Sequence, residues 1–375
     1  MRHTRTALAL ASRRIRVLSL LALLVITALS ETAAAAPRPV PRFLYAVNMR
    51  SSTVSGWRID PQSGGLSPIE GAPVSCPRKP TSLCVDPSGH CLYATCQTDA
   101  SLAGWFVEDT GRLQPLSGFP MKMAGGPLSA AIDVTGAWLY ATLATPVNRV
   151  LAFHRALNGT LTPGPVTALE GNPQPIAVAL DPSGALLYVA NYSGGSTSGF
   201  VRNPDGSLVG LSFSPYQSGV YPQAVAVHPS GRFVYVPGAS SNNLFGFAVD
   251  LASRTMNALP GSPFPAGPQP SDAAFDPRGR WLYVADYQNG NIEAYGIDGQ
   301  SGLLTVVPGA PFASGSTTLR SLTVDPSGSF LYAADIVGSS IYGFRITPET
   351  GALRPLPGFP VQADDGPIKL VVVAR

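Results

Sequence analysis

Acid–base chemistry in enzymes draws on histidine before any other side chain. The chain of 375 residues holds four, and His3 lies in a basic N-terminal stretch. The other three, His90, His154 and His228, fall where internal repeats place unrelated residues. His90 aligns with Ala137, Ala185 and Arg232, and His154 with Arg58, Phe106 and Val201, while His228 replaces a turn aspartate. These slots read as structural. No Ser–His–Asp set, histidine metal site, P-loop or dinucleotide fingerprint emerges.

The four cysteines are Cys76, Cys84, Cys91 and Cys96. They contain no C-x-x-C pair, which argues against zinc. If the Asp86-Pro-Ser-Gly89 turn sets Val85 opposite His90, then Cys84 faces Cys91 at a distance suited to a bridge. Cys76–Cys96 is the second expected pair, with four buried thiols as the rival state.

Carboxylates, amides and cations recur at the ends of apolar segments. Three residues after each of seven spaced tyrosines stand Asn48, Cys96, Leu143, Asn191, Gly238, Asp286 and Asp335. Asp272, Arg320 and Lys369 begin other apolar segments, with Arg78, Lys79, Asp364 and Asp365 nearby. A mixed ring of this kind suits a small polar ligand held by hydrogen bonds. Asn48, Asn191, Asp272, Asp286, Arg320, Asp335 and Lys369 are its expected members. Asp286 with Asp335 would also suit a hard cation such as Ca²⁺. No other cofactor is expected. Asn and Asp at such positions also cap their own turns.

The elements that must position these residues repeat. The tyrosines are Tyr45, Tyr93, Tyr140, Tyr188, Tyr235, Tyr283 and Tyr332, spaced 47 to 49 residues apart. A second aromatic keeps step, from Trp57 to Phe344. Each unit reads as four short strands. An apolar strand follows a proline, and a D-P-S-G type I turn leads to the Tyr strand. A third strand carries the second aromatic, and a TG or DG turn leads to a polar fourth. Seven four-stranded antiparallel units predict an all-β, seven-bladed β-propeller. The first unit lacks an inner strand and the chain ends on a spare one, Pro367 to Val373. That strand is expected to close the ring on the first blade. Gly and Pro, 39 and 37 residues, fall at the turns of this period.

Residues 1–36 have the form of a secretory signal peptide, leaving a single propeller over 37–375. Five arginines precede an apolar run from Val17 to Leu29, and ETAAAAP follows with a cut expected after Ala35. The general secretory route is favoured over a twin-arginine route. The formal charge of +3 belongs to this leader. Five of 25 basic and one of 22 acidic residues lie in it, leaving 20 and 21 and a net of −1. That balance argues against nucleic acid as a partner. The rest of the chain has no membrane-length apolar run. The expectation is an exported monomer, periplasmic or extracellular, free of the membrane after cleavage.

The repeated D-P-S-G-x-x-L-Y-V-A-N unit, as at Asp181 to Asn191, resembles the Tyr-Val-Thr-Asn repeat propellers and the lactonase-like seven-bladed propellers. The latter include propeller-type 6-phosphogluconolactonases. The resemblance covers about residues 40–375 and implies the propeller fold. Members with lactonase activity carry a P-R-H-type segment and an Asn-Glu pair. Here Leu319-Arg320-Ser321 keeps the Arg, and Asn191-Tyr192 keeps the Asn. Two functions are therefore expected. The residues alone favour a scaffold that binds a small polar ligand or a protein partner. The alternative, implied by the resemblance, is a lactonase using the channel. In it Arg320 stabilises the oxyanion while Asp286 or Asp335 activates water.

Overall fold

In the computed structural model, residues 40–144, 146–171 and 173–375 are described. The expected signal segment, 1–36, lies outside them. Pro41–Arg375 forms one compact unit. It consists of seven antiparallel sheets, and no helix occurs among the described residues.

Blade 2 shows the plan. Its strands Pro80–Val85, Cys91–Cys96, Ser101–Val107 and Leu113–Pro115 pair in sequence, and Met121–Lys122 adds a short return against the third. Blades 3 to 7 repeat this order, with inner strands at Pro127–Ile132, Pro175–Leu180, Ala226–Val227, Pro270–Phe275 and Leu319–Val324. Blade 3 lacks the short return. Blade 1 is closed as expected: Pro367–Ala374 pairs with Arg42–Asn48, setting Tyr45 opposite Val371.

The turn after the inner strand is fixed by two residues. Asp86 Oδ1 accepts a hydrogen bond from Cys91 N, and the other turn aspartates Asp133, Asp181, Asp276 and Asp325 do likewise. The turn glycine, Gly89 in blade 2, sits at φ 72°, a left-handed conformation that glycine adopts without strain. The hairpin closes one residue further along the chain than expected. Asp86 pairs with Cys91, so Val85 faces Leu92 and Cys84 faces Tyr93, not Cys91.

All seven tyrosines are at most 1% exposed. Six donate to the carbonyl of a glycine in the outer turn of the next blade, for example Tyr93 to Gly159 at 2.7 Å and Tyr332 to Gly64 at 2.8 Å. These bonds tie neighbouring blades together through otherwise apolar packing. Tyr188 is the exception. The turn facing it carries Arg254, at φ 54°, and the Tyr188 hydroxyl has no partner among the described residues.

Candidate functional site

The seven inner strands enclose a central cavity of about 560 Å³. Its wall follows from a repeated position, the second residue after the inner-strand proline. In blade 3 this is Ser129, whose Oγ accepts Val178 N from the next inner strand at 3.3 Å. In blade 7 Ser321 accepts Leu370 N, also at 3.3 Å. Blade 6 places Asp272 in this slot, and Oδ2 accepts Leu322 N at 3.1 Å. Aspartate thus keeps the acceptor role that serine fills elsewhere and adds a negative charge.

Blade 1 places Lys369 in the same slot. Its Nζ donates to Asp272 Oδ2 at 2.8 Å, across the intervening blade. Asp272 Oδ1 also accepts Ala273 N at 3.0 Å. A carboxylate offers about four acceptor sites, so one remains for a guest. Asp272 is 4% exposed, and that small surface faces the cavity.

Arg320 lies between the two. Its Nη2 donates to Gln223 Oε1 at 3.0 Å and its Nη1 to Ser271 O at 3.4 Å. Burial pulls its pKa below the ordinary arginine value, and the Asp272 carboxylate opposes that fall. A partly desolvated cation of this kind gains from an arriving negative charge. Across the cavity, the inner strands of blades 2 to 4 present Thr81, Ser82, Leu128, Ser129, Ile176 and Ala177, all uncharged, and Lys79 on the loop before blade 2 is the charged side chain of that side. The cavity is therefore polarised.

Of the seven residues expected on the channel face, Asp272, Arg320 and Lys369 line the cavity. The other four are the last residues of their strands and turn into the blades. Asn48 Nδ2 donates to Ser55 Oγ at 2.9 Å, and Asn191 Nδ2 to Ser198 Oγ at 2.9 Å. Asp335 Oδ1 accepts Thr318 Oγ1 at 2.6 Å and Gly338 N at 2.9 Å, closing its own loop. Asp286 is fully buried, and neither carboxylate oxygen has a partner among the described residues. Where Ser55 and Ser198 stand in blades 1 and 4, blade 6 has Glu293. Burial, and secondarily the Glu293 charge, push Asp286 up to about 8.

Two further sets of residues join the wall, and of these only Lys79 was expected near the ring. One is the residue that follows these buried caps: Met49, Gln97 and Tyr192. The other directly precedes an inner-strand proline. Lys79 and Gln174 stand there at φ 54° and line the cavity. Their sequence signal is the X-Pro dipeptide at the start of each unit.

None of His90, His154 and His228 lines the cavity. His228 is buried, with its ring nitrogens on Gly279 O at 2.8 Å and Ser230 Oγ at 2.8 Å. His154 packs edge-on to Trp138 at the exposed edge of blade 3. Among the described residues no group of three or more His, Cys, Asp or Glu is placed to hold a metal ion. All four cysteines are free thiols, with Cys76 Sγ and Cys96 Sγ 3.4 Å apart.

Comparison with known proteins places this geometry in context. The family model described as lactonase, 7-bladed beta-propeller, matches residues 106–220 and 211–319. No curated protein matches the chain. Among solved structures, the periplasmic gluconolactonase of Pseudomonas aeruginosa superposes with a TM-score of 0.75 at 18% identity, covering 89% of this chain and 99% of that one. A candidate 6-phosphogluconolactonase from Bacteroides uniformis gives 0.74 at 18% identity, covering 90% and 100%. A similar protein from Bacteroides fragilis gives 0.74 at 16% identity, covering 90% and 99%. At these identities the likeness speaks to fold.

Proposed function

The chain belongs to the seven-bladed β-propeller lactonase family, and from that premise we propose that its central cavity hydrolyses a lactone, a sugar lactone or related cyclic carboxylic ester. The observation that carries the reading is the charged wall: Arg320 and Lys369 converge beside Asp272 in a cavity whose facing inner strands carry no charged side chain.

Water attacks the carbonyl carbon, and the carbonyl oxygen takes up negative charge. Arg320 and Lys369 stabilise that charge, which the ground-state ester lacks, so the gain falls on the transition state. Asp272 accepts a hydrogen bond from the attacking water at its remaining lone-pair site and orients it. The ring C–O bond then breaks, the water proton passes to the departing alkoxide, and a hydroxy acid results. Thr81, Ser82 and Ser129 face the substrate hydroxyls.

The test is turnover of a panel of sugar and aliphatic lactones by pH-stat, with Arg320→Ala beside the wild type. Loss of about 10²- to 10³-fold in the variant is expected. No turnover across the panel, with an intact fold, would favour a binding propeller instead. That second reading has its own support, since none of the three described histidines reaches the cavity.

Export forms part of the same proposal. Residues 1–36 carry the features of a secretory leader, and a structural relative is described as periplasmic. The intact mass of protein recovered from a bacterial periplasm should correspond to a chain starting at Ala36. A mass retaining Met1–Ala35 would contradict it.

A further inference from the structure

A second hollow opens beside the mouth of the central cavity. It holds about 390 Å³ and is walled by Tyr192, Gly195, Gly219, Val220, Tyr221 and Phe245. Tyr192 belongs to both walls, so the two spaces adjoin. The rings of Tyr192 and Tyr221 stack with centroids 4.5 Å apart and planes 15° from parallel. Val220 is 50% exposed and Tyr221 41%. Water thus meets a flat apolar shelf beside a charged cavity.

The shelf is held in place by backbone. Ala239 N donates to Tyr221 O at 3.2 Å and Ser240 N to Val220 O at 3.1 Å. Tyr221 occupies the slot before an inner-strand proline, at φ 57°, where its counterparts Lys79 and Gln174 reach the cavity. Two residues further on, Gln223 holds Arg320. One short segment therefore carries both the aromatic shelf and the group that orients the guanidinium. A Cβ at Gly219 would strike Phe245 at 2.6 Å and Ser241 at 2.8 Å, so glycine keeps this side of the hollow clear.

We infer that this shelf binds an aromatic ring carried as a substituent by the lactone held in the central cavity. The inference rests on the hydrolase reading and narrows its substrate class to aryl-substituted lactones. The wall offers stacked rings and aliphatic surface. Ser193 already donates its hydroxyl to Gln174, which leaves Gln217 and the two tyrosine hydroxyls as the polar side-chain groups beside a mainly aromatic and aliphatic wall. A phenyl ring fits the volume and would stack on Tyr221. Because the two spaces adjoin at Tyr192, a substituent of a lactone seated in the central cavity would reach the shelf past that ring.

The probes are δ-valerolactone and 6-phenyl-δ-valerolactone for turnover, with their ring-opened hydroxy acids for calorimetric binding. The variants are Tyr221→Gly, which relieves the left-handed backbone and so preserves the fold, and Tyr221→Phe, which keeps the ring. The wild type should bind the phenyl acid about tenfold more tightly than the unsubstituted acid. Tyr221→Gly should erase that preference while leaving the unsubstituted acid within about twofold, and Tyr221→Phe should retain it. Equal affinity for the two acids in the wild type, or a preference that survives Tyr221→Gly, would overturn the inference. Turnover separates the two readings. Hydrolysis without a phenyl preference sinks the subsite alone. A Tyr221-dependent preference without hydrolysis upholds the subsite and sinks the hydrolase.

Discussion

The two walls of the channel come from the same repeat and have diverged. In blades 2 and 3 the slot behind the inner-strand proline keeps serine, at Ser82 and Ser129, and Ser129 ties its strand to the next. In blades 6 and 1 the same slot carries Asp272 and Lys369, with Arg320 beside them and Gln223 steadying it. The tie between strands survives at Asp272, so the substitution adds charge without giving up structure. In a repeat protein the conserved plan builds the scaffold, and chemistry is to be sought where one copy departs from it.

The largest effect should come from opening the ring. Lys369 rides on the closing strand, so removing residues 367–375 takes away both the inner strand of blade 1 and one cation of the charged wall. Cooperative thermal unfolding should be lost. An unchanged melting temperature would show that closure does not hold the propeller together.

Next in size is the contrast between the walls themselves. Lys369→Met should lower kcat/KM for a hydrolysed lactone by about a hundredfold, and also lower Tm because Asp272 is left buried and unpaired. Ser82→Ala, on the facing strands, should change kcat/KM by less than about threefold. Comparable losses in both variants would erase the distinction.

Departures away from the channel are smaller tests of the same rule. Asp286 stands where Asn48 and Asn191 donate to serines, yet it faces Glu293. Its folded pKa, about 8, lies above the unfolded value, so the folded state holds a proton that the unfolded state releases. The stability so gained is present below the unfolded carboxylate pKa and is lost as pH rises towards about 8. Asp286→Asn should raise Tm at pH 8 more than at pH 5. Equal shifts at both pH values would rule out a buried neutral acid.

The interblade tyrosines give a finer comparison. Tyr140→Phe removes a bond to Gly206 O of 3.1 Å and should cost about 1 kcal/mol in denaturant unfolding. Tyr188→Phe removes an unpartnered hydroxyl and should be neutral or slightly stabilising. Cys76 and Cys96, with sulfurs 3.4 Å apart, should close into a disulfide when exchanged against oxidised glutathione, joining blades 1 and 2. The unreduced mass would then fall by about 2 Da. Four titratable thiols after that treatment would exclude the bridge.

The fold was legible because tyrosine, turn glycine and proline recur in step, and because a spare strand at one end matches a missing one at the other. The site was legible only where a charged side chain stands within an inner strand, at Asp272, Arg320 and Lys369. Asn48, Asn191, Asp286 and Asp335 lie inside the blades instead, and for Asn48 and Asn191 the offset from the cavity wall is one residue. Each ends its strand with the side chain inside the blade, while Met49 and Tyr192, one step on, face the cavity. A single-residue step reverses the direction of a side chain, and composition carries no sign of which residue of such a pair faces inward. The one-residue shift of the turn that sets Cys84 opposite Tyr93 was hidden for a similar reason. The aspartate carboxylate caps the strand five residues on, which the D-P-S-G tetrad alone does not reveal.

The central claim is that the charged wall stabilises an oxyanion. Calorimetric titration with a six-membered cyclic phosphonate, which carries the charge of the tetrahedral intermediate, tests it most directly against the matching neutral lactam. The wild type should bind the phosphonate at least about tenfold more tightly than the lactam, and Arg320→Met should lose that preference. Equal affinity for the two ligands in the wild type, or a preference unchanged in Arg320→Met, would contradict the account.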